Sequence, residues 1–164
     1  MKDRILESSR ELASMTVDKE EHAIIIYEDG ARMLFRGVSM EVQIPLTGPH
    51  GRAVAVIHTH PVPRTAPSLP DLAVLISMTR LGVIPAYLAT VYASNGKATV
   101  TLYTATRPLP HGVEKIIADQ ALKYEKLNYV NAFSPSISEK QLREQHALLS
   151  KLGISIERYQ VAAQ

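Results

Sequence analysis

The chain has 164 residues, 46% hydrophobic and 21% charged, values typical of a globular protein with a buried core. Its formal net charge of +2 is too small to indicate a nucleic-acid-binding surface, and no nucleic-acid partner is expected. Cysteine is absent, which excludes disulfides, thiol catalysis and cysteine-bound metals and leaves His, Asp and Glu as metal ligands.

The sequence predicts neither a leader peptide nor a membrane anchor. Residues 1–7 mix charged with apolar side chains and lack the uninterrupted apolar segment of a signal peptide. No apolar run reaches the roughly 20 residues that cross a bilayer. We therefore expect a cytoplasmic protein with no membrane partner.

The first part of the chain predicts one helix followed by strands. Residues 2–13 place apolar side chains at helical intervals, which predicts an amphipathic helix covering one face of a sheet. The extended segments 22–27 and 31–35 flank turn residues, which predicts a β-hairpin. A strand, a loop and a buried core strand are expected next, at about 40–46, 47–51 and 53–57.

The second part predicts a helix, a hairpin and two further helices. Residues 71–81 have helical spacing that ends at Gly82. The Asn95-Gly96 pair is a strong hairpin signal between strands at 83–93 and 98–104. The two last helices are expected at about 113–130 and 138–152.

This order of elements predicts an α/β protein in which helices flank a mixed β-sheet, a sandwich close to three layers. We expect a single domain over residues 1–164. Its core is expected at about 1–105 and a C-terminal helical segment at about 110–164.

Two histidines follow the predicted core strand. His58 and His60 are two residues apart, and in an extended segment such residues point to the same face, so both rings can converge on one ion. Asp71 offers a third ligand, and three protein ligands with an open fourth position are typical of catalytic zinc. The alternative is a solvated or hydrogen-bonded histidine pair without a metal.

Ser68 and Asp71 also admit a structural interpretation. A serine three residues before an acidic residue at a helix start resembles a capping box, and proline is common in a first turn. The two interpretations are compatible, because a helix start that fixes Ser68 and Asp71 three residues apart can direct both side chains into one pocket.

The spacing of these residues resembles a known family signature. His58-Thr59-His60, seven further residues, Ser68, two residues and Asp71 resemble the His-x-His-x7-Ser-x2-Asp signature of JAMM (MPN-plus) metalloproteases. The resemblance extends in organisation from the opening helix to about residue 104. It implies the MPN fold, which is similar to that of cytidine deaminases, with zinc bound by His58, His60 and Asp71. It also implies that Ser68 stabilises the oxyanion.

The family has a glutamate near the start of the first strand, and this chain has two candidates there, Glu20 and Glu21. The triplet Glu21-His22-Ala23 fits the family pattern better. The resemblance therefore implies that Glu21 is the catalytic residue that moves a proton from water to the leaving amine. A glycine common in this strand is absent, so Glu20 stays open as the alternative.

As a whole, the resemblance implies a zinc-dependent isopeptidase that cleaves after the C-terminus of ubiquitin or a ubiquitin-like modifier. Its implied partners are conjugates of such modifiers, with a proteasome-like complex or a second MPN subunit as further candidates. The alternatives are a non-catalytic MPN scaffold subunit and a JAMM peptidase acting on a sulfur-carrier tail or on a cell-wall or phage peptide. The remaining histidines are given no role in the site; they include His50, His111 and His146.

Overall fold

The computed structural model describes residues 1–15, 21–37, 44–60, 69–128 and 139–162. Within these ranges the chain forms four helices and seven strands. In chain order they are α1 (Lys2–Ala13), β1 (His22–Tyr27), β2 (Arg32–Arg36), β3 (Thr47–Gly48), β4 (Gly51–Thr59), α2 (Leu69–Arg80), β5 (Ala86–Ser94), β6 (Lys97–Ala105), α3 (Val113–Asn128), α4 (Glu139–Lys151) and β7 (Ile154–Ala162).

The strands form one mixed sheet in the order β2-β1-β4-β5-β6-β7, with the short β3 paired to β4. Strands β4 and β5 are parallel, whereas the other neighbouring pairs of described strands are antiparallel. Parallel neighbours need a crossover connection, and α2 belongs to the segment that supplies it. The start of α2 therefore follows the end of β4 in the chain, at one end of the sheet.

Helix α1 covers one face of the sheet, as its spacing predicts. Ile5 and Leu12 lie one heptad apart on its buried side and are fully buried. They pack with Ile24, Ile57 and Val100 of the central strands. Burying a leucine or isoleucine stabilises a fold by about 1.5–3 kcal/mol, so these side chains contribute strongly to holding α1 on the sheet.

The other helices lie on the opposite face of the sheet. Leu75 of α2, Ile117 of α3 and Leu149 of α4 share a core with strand residues such as Val56 and Leu88. Helices thus lie on both sides of a mixed sheet, which confirms the predicted α/β architecture.

Several predicted elements are confirmed closely. The β1–β2 hairpin, α1, α2, α3 and α4 all lie where the pattern places them. The turn between β5 and β6 has positive φ at both central residues, 54° at Asn95 and 74° at Gly96. This is the conformation of a type I′ turn, which matches the twist of the flanking strands.

Other predictions of strands and loops are wrong in detail. Residues 44–46 are not in a strand, and the rest of the strand expected at 40–46 falls outside the described residues. The expected loop contains β3, whose Thr47 lies opposite Arg52. The strand expected from residue 83 begins only at Ala86, since Pro85 has no N–H for the ladder.

Strand β7 lies in the C-terminal segment that the sequence pattern predicts to be helical, so this part of the prediction is wrong. This strand pairs with β6 along its whole length, from Ile154 opposite Ala105 to Ala162 opposite Lys97. Its pattern is weak because it lies at an edge of the sheet, where Glu157 is exposed and few positions are fully buried. None of the described helices is both long enough and apolar enough to cross a membrane.

His146, which the sequence analysis gave no role, joins α4 to the sheet. Its Nε2 lies 3.0 Å from the hydroxyl of the fully buried Tyr103 of β6. Either group can be the donor in this hydrogen bond, depending on the tautomer of the ring. Burial lowers the pKa of His146, and the positive charge of Arg158 lowers it further.

This depressed pKa predicts a pH-dependent contribution to stability. An unfolded histidine titrates near 6.5, so on acidification the unfolded chain binds this proton before the folded chain does. The contribution is complete above about pH 6.5 and is lost as pH falls through the folded pKa. We expect the stability advantage of the wild type over His146→Gln to shrink between about pH 8 and about pH 5, measured by urea unfolding. An advantage that grows on acidification would contradict this assignment.

Candidate metal centre

The C-terminal end of β4 and the start of α2 build the candidate site. His58 is the penultimate residue of β4 and lies opposite Ala23 of β1 and Thr90 of β5. His60 follows the strand, and its N–H donates to the carbonyl of Val91 at 2.9 Å. This bond continues the pairing with β5 past the end of β4 and so fixes the backbone from which the second imidazole extends.

Asp71 reaches the histidines from the first turn of α2. Its Oδ2 lies 2.9 Å from Nε2 of His60, and its Oδ1 lies 3.3 Å from Nδ1 of His58. One potential ligand atom from each of the three residues lies within 4.8 Å of the others. The two imidazoles meet edge to face, with ring centroids 5.4 Å apart. The structure therefore brings together the three residues that the resemblance implies as metal ligands.

Glu21 lies beside this group, directly before β1. Its Oε2 is 3.6 Å from Nε2 of His58, too long for a hydrogen bond but within ion-pair range. The carbonyl of Glu21 accepts a bond of 2.9 Å from the N–H of Gly37, which ties this residue to the end of β2. Of the two glutamates considered, Glu21 is at the site, and Glu20 lies outside the described residues.

Ser68, the residue implied as the oxyanion donor, also lies outside the described residues. His50 lies in the turn that precedes β4, at the opposite end of this strand from His58. Its Nδ1 is 2.7 Å from Oδ2 of Asp29, and both side chains are exposed. His50 is therefore a surface residue and provides a natural comparison for the buried histidines.

The candidate site is buried, so charged groups within it interact strongly with one another. Glu21, His58, His60 and Asp71 are each at most 7% exposed. Burial alone lowers the pKa of His58, but the adjacent Glu21 carboxylate and the charge of Asp71 outweigh it and leave the pKa above its ordinary value. Two carboxylates thus favour positive charge at this position, whether it is carried by a proton or by a metal ion.

Several buried polar atoms of the site lack a hydrogen-bond partner, and this bears on whether a cation fits there. Among the described residues, Nδ1 of His58, Nδ1 of His60 and Oε2 of Glu21 have no hydrogen-bond partner. A buried polar atom without a partner costs about 1–3 kcal/mol. A divalent cation held by His58, His60 and Asp71 would take an electron pair from each imidazole, and its charge would balance the two acidic groups. The residues fit such an ion.

The donor set favours zinc over harder cations. Two imidazole nitrogens and one carboxylate suit Zn²⁺, whereas Mg²⁺ and Ca²⁺ prefer oxygen ligands. Structural zinc sites are closed by four protein ligands, but catalytic sites keep one position for water. Among the described residues, three candidate ligands lie together here, with Glu21 close by.

Thr59, between the two histidines, is a site residue that the sequence analysis gave no role. Its hydroxyl oxygen lies 2.8 Å from the backbone nitrogen of His22, far away in the sequence. The sequence offers no signal for this bond, because it depends on the register of β1 against β4.

The comparisons with known proteins add no family assignment. The chain gives no match with protein-family models and none with curated proteins. What can be said of its function therefore rests on the residues of the site.

We predict that the chain binds one zinc ion through His58, His60 and Asp71. Zinc at about 100-fold above its Kd should stabilise the fold by about 2.7 kcal/mol. The substitution His60→Ala should abolish both the bound zinc and this stabilisation, because it removes one of three ligands. Elemental analysis and urea unfolding with and without zinc measure the two effects.

The matched control is His50→Ala, which removes an exposed histidine paired with Asp29. It should bind zinc like the wild type. Equal zinc content in the wild type and His60→Ala would show that the metal lies elsewhere or is bound nonspecifically.

Proposed function

We propose that this chain is a zinc metallopeptidase of the JAMM (MPN-plus) type that hydrolyses peptide or isopeptide bonds. The observation that carries the proposal is the buried group of His58, His60 and Asp71 with Glu21 at 3.6 Å from His58. Three ligands beside a carboxylate that is not needed as a ligand are the parts of a metal-assisted hydrolase. The His-x-His-x7-Ser-x2-Asp spacing supports the same interpretation.

Each residue has a distinct part in this mechanism. His58, His60 and Asp71 hold the metal. When bound, zinc lowers the pKa of water from about 15.7 toward roughly 7 and polarises a substrate carbonyl. Glu21 accepts the proton of the attacking water and returns it to the leaving amine, since its carboxylate lies next to the ligand group. The Ser68 hydroxyl donates to the carbonyl oxygen as negative charge develops there.

The substrate we favour is a conjugate of ubiquitin or a ubiquitin-like modifier, cleaved after the C-terminus of that modifier. The resemblance in spacing supports this choice. Access to side chains that are at most 7% exposed would require a thin segment of chain. A tail that ends in two glycines is such a segment, and an extended tail can add backbone hydrogen bonds along a strand.

Substitution of Glu21 separates metal binding from catalysis. We predict that Glu21→Ala keeps its zinc but loses turnover by about 10²- to 10⁴-fold, the usual contribution of a general acid–base residue. Cleavage of a panel of ubiquitin-like fusions, with and without a chelator, and zinc analysis of the same samples measure both properties.

The control for this experiment is Glu20→Ala, which should retain both zinc and activity. Zinc-dependent activity that persists in Glu21→Ala and disappears in Glu20→Ala would transfer the catalytic role to Glu20. A wild-type chain without zinc, whose cleavage is unaffected by a chelator, would favour a metal-free scaffold instead.

A further inference from the structure

Thr59 occupies the position between the two imidazoles and is 1% exposed. Successive side chains of a strand point to opposite faces of the sheet. The Thr59 side chain therefore points away from the face on which His58 and His60 converge. It therefore does not compete with them for a metal. Its hydroxyl is used for a contact with β1 instead.

The hydroxyl group of Thr59 binds both backbone groups of His22. The N–H of His22 donates to Oγ1 at 2.8 Å, and Oγ1 donates to the carbonyl of His22 at 3.3 Å. The register of β1 against β4 ends one residue earlier, at Ala23 opposite His58. Thr59 thus adds a side-chain contact between the two strands at the point where their register ends.

This contact lies next to the residue that we propose as the proton carrier. Glu21 directly precedes His22, and its own carbonyl is held by the N–H of Gly37 on the β2 side. Thr59 supplies the corresponding restraint on the β4 side. The two restraints together fix the backbone from which the Glu21 carboxylate extends toward His58.

We propose that Thr59 is a positioning residue, whose hydroxyl fixes Glu21 relative to the metal ligands on its own strand. This inference rests on the proposed function. The same residue lies covalently between His58 and His60 and hydrogen-bonds the peptide next to Glu21. It is therefore a direct link between the proton carrier and the metal-binding segment.

The chemistry of threonine suits this task. A hydroxyl both donates and accepts, so one side chain can satisfy an N–H and a carbonyl of the same residue. Valine has nearly the same shape without the hydroxyl, and serine keeps the hydroxyl without the methyl group. In Thr59→Val the two bonds from the hydroxyl to the backbone of His22 are lost, which favours a shift of this segment.

The test compares these two variants in zinc-loaded protein. We expect Thr59→Val to keep one zinc, to lose about 10- to 100-fold in kcat, and to keep KM near the wild-type value. Thr59→Ser should retain most of the activity. Thr101→Val is the matched control, since it removes the hydroxyl of a buried strand threonine two strands away, and it should leave kcat unchanged.

Thr59→Ala serves as a second variant without a hydroxyl in case valine does not fold. An unchanged kcat in a folded, zinc-loaded variant without the hydroxyl would overturn the proposal. A loss in Thr59→Ser as large as in Thr59→Val would also overturn it, because shape and not hydrogen bonding would then be the cause.

A second measurement does not depend on turnover. Amide hydrogen exchange at His22 should accelerate in Thr59→Val, and a crystal structure of that variant should show Glu21 displaced from His58. A Glu21 carboxylate that stays in place refutes the positioning role, whatever the activity. If the wild type cleaves nothing, the proposed function fails, and the position of Glu21 in the variant still decides whether Thr59 places it.

Discussion

The parallel pairing of β4 with β5 is the constraint on which the site depends. Two parallel neighbours cannot be joined by a tight turn, so the chain must leave the end of β4 and return to the start of β5. Helix α2 lies in that return path, and its first turn is brought back to the strand end where His58 and His60 lie. The approach of Asp71 to both imidazoles is therefore a consequence of topology.

The buried charges are tolerated because they balance one another. Isolated carboxylates would be costly at this depth, but Glu21 and Asp71 face two imidazoles that can carry positive charge or hold a cation. The raised pKa of His58 reports this balance. If the carboxylates or the imidazoles are removed, the remaining buried groups are left uncompensated. The stability of this end of the sheet therefore depends on the same four residues that form the candidate site.

The sequence predicts those features that depend on local pattern. The spacing of Ile5 and Leu12 defines the buried side of α1, and Asn95-Gly96 defines the turn between β5 and β6. The weak alternation of β7 escapes detection because an edge strand buries few side chains. At the site, the two-residue spacing predicts that His58 and His60 share a face, and their rings do meet.

Features that depend on pairing between distant segments could not be predicted from the residues alone. The bond between Thr59 and His22 needs the register of β1 against β4. The approach of Glu21 to His58 needs the same register. Residue types and spacing therefore define candidate ligands, but only the assembled sheet shows which carboxylate lies beside them.

The three candidate ligands and Glu21 also differ in how far apart they lie along the chain. His58, His60 and Asp71 belong to one strand–helix unit, whereas Glu21 comes from a separate hairpin at the other side of β4. Contacts that are local in sequence form faster than distant ones. The three candidate ligands can therefore come together before the hairpin docks during folding, and a partly folded chain of this kind would present them without Glu21.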